Sequence, residues 1–137
     1  MPWTIPELDA FLAEWTDTPE KNRIAFIELK NQLDAKPGVV LSFIARPQVT
    51  YSLRAAAPNQ NGRPLFVIVD VIEDQPRWLS VCFYADTVQD PDELGDYVPE
   101  GLLGENAVCF DLESYDPDTL AYLRARIDEA FTSVSRP

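Results

Sequence analysis

The chain has 137 residues, 46% of them apolar, which is enough for one domain with one core over residues 1–137 and too few for two ordinary ones. Its net charge of −12 is unevenly spread: Trp78 to Leu123 holds eleven acids and no Lys or Arg, while the rest holds twelve acids and eleven bases. This excludes general binding to nucleic acid or an anionic membrane, both of which need positive potential, and it permits a basic partner or a cation.

The first helix is marked by Thr4 and Glu7 at capping-box spacing, with Trp3 and Leu8 placed as a hydrophobic staple. Leu8, Phe11, Leu12 and Trp15 give it one apolar face. Thr18 as N-cap and Pro19 at the first helical position predict a second helix running to about Ala35. Ile24 and Ile27 lie on one side of it, and Phe26, Leu29 and Leu33 widen the stripe; Lys36-Pro37-Gly38 stops it.

Two alternating strands follow. Val39 to Arg46 sets Leu41 and Phe43 against Ser42, Ile44 and Arg46. Val49 to Arg54 sets Val49, Tyr51 and Leu53 against Thr50, Ser52 and Arg54. Each has one buried and one wetter face. Pro58 to Pro64 is a polar loop.

Leu65 to Ala85 is the hairpin around which the rest is organised. Leu65 to Ile72 is almost wholly apolar, as a central strand is, and Trp78 to Tyr84 alternates. Glu73 to Arg77 has no apolar residue and contains a Pro, so it connects them. In Asp86 to Asn106 the pattern is weakest. Asp90 to Leu94 suits one capped helical turn, and Pro99 to Gly104 reads as a turn with two apolar anchors, Leu102 and Leu103. Ala107 to Leu112 is the fifth strand. Asp116-Pro117 then caps a final helix with Leu120, Leu123, Ile127 and Phe131 along one face, and Arg136-Pro137 frays.

The order helix, helix, four strands, acidic excursion, strand, helix predicts an α+β domain. About five mainly antiparallel strands carry two N-terminal helices and one C-terminal helix packed on one face.

The closing strand VCFDL and the helix LAYLRARIDEAF, with Val108, Phe110, Leu112, Leu120, Leu123, Ile127 and Phe131 as matching positions, resemble the C-terminal end of small bacterial domains of the YjbR-like and YdhG-like types. The resemblance implies a compact bacterial α+β fold and assigns no site residue.

There is no histidine, which removes Ser-His-Asp and Cys-His catalysis, the commonest zinc ligand and the usual general base near neutral pH. Cys82 and Cys109 are not a CxxC pair, and the five glycines form no phosphate loop. In a cytoplasmic protein the two cysteines are most simply buried thiols, although neighbouring fourth and fifth strands would bring them close enough for reversible oxidation. The cytoplasm is the expected compartment, because the N-terminus lacks the basic start and apolar middle of a signal peptide and no run approaches the ~20 apolar residues of a membrane helix.

Asp90, Asp92 and Asp96 imitate positions of a calcium loop, but Leu94 and Gly101 stand where it needs an oxygen ligand and a bidentate Glu. A capped turn is the plainer reading, and no cofactor is expected.

The period of two gathers a richer set on the sheet face turned away from the helices: Arg46, Arg54, Asp70, Trp78, Ser80, Cys82, Tyr84, Cys109 and Asp111. This mixture suits a small-ligand groove or a partner interface. An ordinary half-wet face, with Arg46 or Arg54 paired to Asp70 or Asp111, is the bland reading. The leading expectation is a non-catalytic binding or interaction domain using this face. The alternatives are an enzyme working through Asp70, Asp111, Cys82 or Cys109, and a homodimer formed through the face.

Overall fold

The computed structural model describes residues 5–58 and 62–135. Trp3 and Thr4 of the expected staple and cap, the middle of the polar loop and Arg136-Pro137 lie outside the described residues. The elements are α1 (Pro6–Glu14), α2 (Asn22–Asp34), β1 (Val40–Arg46), β2 (Thr50–Ala56), β3 (Val67–Ile72), β4 (Trp78–Tyr84), β5 (Asp96–Leu102), β6 (Glu105–Leu112) and α3 (Pro117–Ser135). This is an α+β fold with one antiparallel sheet in the order β1-β2-β3-β4-β6-β5.

Among the described residues the sheet has six strands, where the sequence suggested about five. The additional one is β5, DYVPEGL, with two acids, a Pro and a Gly. Such a sequence is tolerated only on an edge, where a missing N–H costs no ladder bond, and β5 is an edge strand with a register shift between Val98 and Leu102.

Alternation divides each strand. Leu53, Val69, Val71, Leu79, Val81, Phe83, Phe110 and Leu112 fall in one buried cluster with Leu8 and Phe11 of α1, Ala25, Phe26, Leu29 and Leu33 of α2, and Leu120, Leu123, Ile127 and Ala130 of α3. At ~25 cal/mol per Å² of apolar surface removed from water, this cluster is the main source of stability. Phe11 stacks on Tyr51 at 4.2 Å and meets Phe43 at 5.5 Å, so the short α1 is anchored by aromatic contacts rather than by length. Trp15 is in the same core.

Two local expectations are corrected. The second helix does not begin at Thr18-Pro19. Those residues form a turn, Lys21 takes a left-handed φ of 60°, and α2 starts at Asn22. Tertiary bonds fix this start: the buried Asn22 side-chain amide donates to the carbonyls of Arg77 and Glu113, at 2.8 and 2.9 Å. The buried side of α2 is accordingly Asn22, Ala25, Phe26, Leu29 and Leu33, with Ile24 exposed. Nor is Asp90 to Leu94 helical. It is a turn in which the Asp90 carboxylate accepts from the backbone N–H groups of Leu94 and Gly95, at 3.0 and 2.8 Å, and from the Tyr122 hydroxyl of α3. The last helix does start as the Asp116-Pro117 signal suggests, with Asp116 accepting from the Asp118 N–H and the Thr119 hydroxyl.

Candidate functional site

Cross-strand register places the face opposite the core. One row runs Ile44, Ser52, Asp70, Ser80, Asp111 from β1 to β6. On one side of it runs Ser42, Arg54, Ile68, Cys82, Cys109, Asp96. On the other runs Arg46, Thr50, Ile72, Trp78. Every residue singled out on this face therefore lies on it by register, Tyr84 included, since it pairs with Ala107 beyond the Cys82–Cys109 row.

Asp70 is near the middle. It is half-buried, and loss of hydration pushes its carboxyl above the usual carboxylate range; a hydrogen bond from Ser52 and the charges of Arg54 and Arg46 pull the other way without cancelling it. Arg54 Nε donates to the Ser52 hydroxyl at 3.3 Å, so Arg54, Ser52 and Asp70 form a chain across two strands. The expected Arg–Asp pairing does not occur: among the described residues neither Arg46 nor Arg54 has a carboxylate within ion-pair distance. Arg46 is exposed and Arg54 half-buried. In a chain with 23 acids and 11 bases, two arginines left without an acid partner on one face are a departure from what charge balance alone would give.

The opposite end of the face is anionic. Asp111 is exposed, and partial desolvation followed by the neighbouring charges of Asp96 and Glu113 holds it above the usual range. The face thus runs from arginines over β1 and β2 to carboxylates over β6 and β5. Trp78 is half-buried and its indole N–H donates to Asp74 at 3.2 Å, which fixes the ring at the margin.

Three candidates change character. Cys82 and Cys109, directly opposite each other on β4 and β6, are joined as a disulfide and are not free thiols. Tyr84 is only 1% exposed, so it is not part of the open surface. Leu65, Ile68, Leu102 and Ala107 pack with it in a second small cluster, and the Arg63 guanidinium lies 4.1 Å over its ring. Arg63 is held there by Asp86 and Glu105, with contacts of 3.0 and 2.7 Å. The β5–β6 turn and the segment before β3 therefore roof one end of the face; along the Asp70 row Ser52 is buried, Asp70 and Ser80 are half-buried, and Ile44 and Asp111 are exposed. Beside that roof, Val40, Ser42, Arg54, Pro64, Leu65 and Leu103 line a recess of about 290 Å³. Sequence alternation put Tyr84 on the correct side; Arg63 as its cover had no local signal.

No known family model, curated protein or solved structure matches this chain.

The calcium candidates do not converge. Asp90 spends both carboxylate oxygens on Leu94, Gly95 and Tyr122, and Asp96 belongs to β5 opposite Cys109. Among the described residues no three acidic, cysteine or histidine side chains are grouped to hold a metal ion. A larger surface groove lies between the α1–α2 link and the β3–β4 turn, but its one cation, Arg77, is already engaged by Glu14 and Glu73 at 3.0 and 2.9 Å.

Proposed function

We propose that the protein is a non-catalytic binding domain whose recognition surface is the open part of the outer sheet face. The observation that carries this reading is the pair Arg46 and Arg54. They flank a half-buried, poorly hydrated Asp70 and have no carboxylate within ion-pair distance among the described residues. A half-buried carboxylate whose charged form is penalised by lost hydration, beside a half-buried and an exposed guanidinium with no close carboxylate, leaves hydrogen-bonding capacity for a partner. Arginines at one end and Asp111 and Asp96 at the other suit a dipolar partner, with its anionic group on β1–β2 and its cationic group on β5–β6. Half-buried Trp78 supplies an apolar anchor at the margin.

In this reading the helices all pack on the inner face, and among the described residues the outer one is covered by loop segments only at its Tyr84 end. No helix among the described residues is long and apolar enough to cross a membrane. The Cys82–Cys109 bond moves the favoured compartment from the reducing cytoplasm to an oxidising one, where such a bond persists.

The test compares tagged wild type, Arg54→Ala and Trp78→Ala, produced in the source cells and matched by near-ultraviolet circular dichroism. Retained small molecules and proteins are quantified by mass spectrometry. The reading expects a species held by wild type and lost at least tenfold from both variants. Equal retention by all three, or no retained species, refutes it.

A further inference from the structure

The two edges of the sheet are built differently. Along β5, Pro99, the acids Asp96 and Glu100, and the irregular register between Val98 and Leu102 are devices that stop another strand from adding. The other edge, β1, has none of them. Its sequence VLSFIAR contains no Pro, no acid and no Lys, and its only charge is the terminal Arg46. Val40 and Ile44 on its outer face are 57% and 39% exposed. Among the described residues its free side has no strand partner. An exposed apolar edge of this kind is a template for pairing.

Charge is divided along the same axis. Ala35 to Val69 carries Lys36, Arg46, Arg54 and Arg63 and no acid, whereas Trp78 to Leu123 carries eleven acids and no base. The first stretch builds β1, β2 and the start of β3; the second builds β4, β5 and β6. Two chains of net charge −12 can therefore approach along β1 without bringing acids together. With strands ~4.8 Å apart, the acidic β6 strands of two copies joined at β1 lie roughly 40 Å from each other, several times the screening length of ~8 Å at physiological salt.

We propose that β1 pairs antiparallel with β1 of a second copy about a twofold axis at Phe43, joining the two sheets into one. In that register Leu41 faces Ala45, Ser42 faces Ile44, and Val40 faces Arg46. The one charge of the strand never meets its twin, and the exposed Val40 covers the Arg46 stem. The interface is isologous, so it closes at two copies and does not propagate. The far edge, blocked along β5, prevents a third copy from adding there. The dimer doubles the outer face: Ile44 and Arg46 lie at its seam, whereas Ser52, Asp70, Ser80 and Asp111 lie on strands away from it, and its test reads self-association alone, so it stands or falls independently of the binding role proposed for that face.

Sedimentation equilibrium from low to high micromolar concentration tests this, using wild type, Val40→Lys, Ile44→Lys and, on the opposite edge, Tyr97→Lys. Tyr97 is 60% exposed, so its replacement is a surface change of the same kind. The proposal expects a mass of about twice 15.5 kDa for wild type and for Tyr97→Lys, and at least tenfold weaker association for the two β1 variants. Should a lysine variant fail to fold, amide hydrogen exchange on wild type replaces it: the amides of residues 40–46 must slow as concentration rises through the dimerisation range. A monomer at high micromolar concentration, a dimer indifferent to both β1 substitutions, or unchanged exchange in β1 overturns the proposal.

Discussion

Removing the Cys82–Cys109 bond should destabilise the protein without rearranging it. β4 and β6 are neighbours over six register pairs, from Leu79 opposite Leu112 to Tyr84 opposite Ala107, so the two strands stay paired when the sulfurs are replaced. What is lost is the constraint on the unfolded chain. The bond closes a loop of 27 residues in sequence separation, for which the chain-entropy relation gives about 3.6 kcal/mol at 25 °C. Against a total of ~5–15 kcal/mol for a domain of this kind, that is a large share. At ~3 °C per kcal/mol it corresponds to a Tm lowered by about 10 °C. The assay is thermal and urea unfolding of wild type and of Cys82→Ser/Cys109→Ser, each with and without reductant, alongside a thiol count on the untreated protein. The account expects no free thiol in untreated wild type, a Tm loss on reduction, and a double variant that matches reduced wild type and ignores reductant. Two free thiols in the untreated protein, or identical Tm values throughout, would refute the bond and the reasoning with it.

Other positions give sharp expectations. Arg77 lies 4.9 Å over Phe11, 5.6 Å over Trp15 and 5.1 Å over Tyr51 while bonding Glu14 and Glu73, so it clamps α1 to the β3–β4 end of the sheet. Arg77→Ala should cost about 2–3 kcal/mol, from three cation–π contacts of ~0.5–1 kcal/mol each plus a partly buried ion pair. Arg77→Lys should recover part of this; a loss below ~0.5 kcal/mol in urea unfolding for the Ala variant would contradict the clamp. For Asp70, burial raises the folded carboxyl above its ordinary value, so the ionised form is penalised in the fold but not in the unfolded chain. That cost is full above the folded pKa and vanishes as pH falls below the unfolded one. Asp70→Asn should therefore raise Tm at neutral pH, with the gain shrinking on acidification, and a variant less stable than wild type at neutral pH would show that Asp70 serves the fold rather than the face.

The legible parts of the fold were those in which local pattern and tertiary environment agree. β4 alternates in burial because one side meets the helices, and β2 and β6 alternate in sequence although outer-face Ser52 and Ala107 are also buried, so the face carrying Arg54, Ser80, Cys82, Cys109 and Asp111 can be assembled by counting in twos. β5 was hidden because an edge strand tolerates the Pro, Gly and acids that elsewhere announce a loop. The start of α2 was hidden because Thr18-Pro19 carries a valid local signal. Asn22, reaching Arg77 and Glu113 far along the chain, decides the boundary instead. The same limit applies to the site. Alternation puts Tyr84 on the outer face, but only the approach of Arg63 and Glu105 from two other segments, with Asp86 two residues along the chain, shows that it is covered. Strand order decides whether Cys82 meets Cys109, and strand order is not a local property.

Asp70 is a poorly hydrated carboxylate held among Ser52, Arg54 and Arg46 on the outer sheet face. The most direct test is a pH titration of the Asp70 carboxyl carbon by nuclear magnetic resonance, in wild type and in Arg54→Ala. The expected result is a wild-type pKa above the usual carboxylate range and a further rise in the variant, where burial acts with one less opposing charge. A wild-type Asp70 that titrates in or below the ordinary range, with no change when Arg54 is removed, would contradict it.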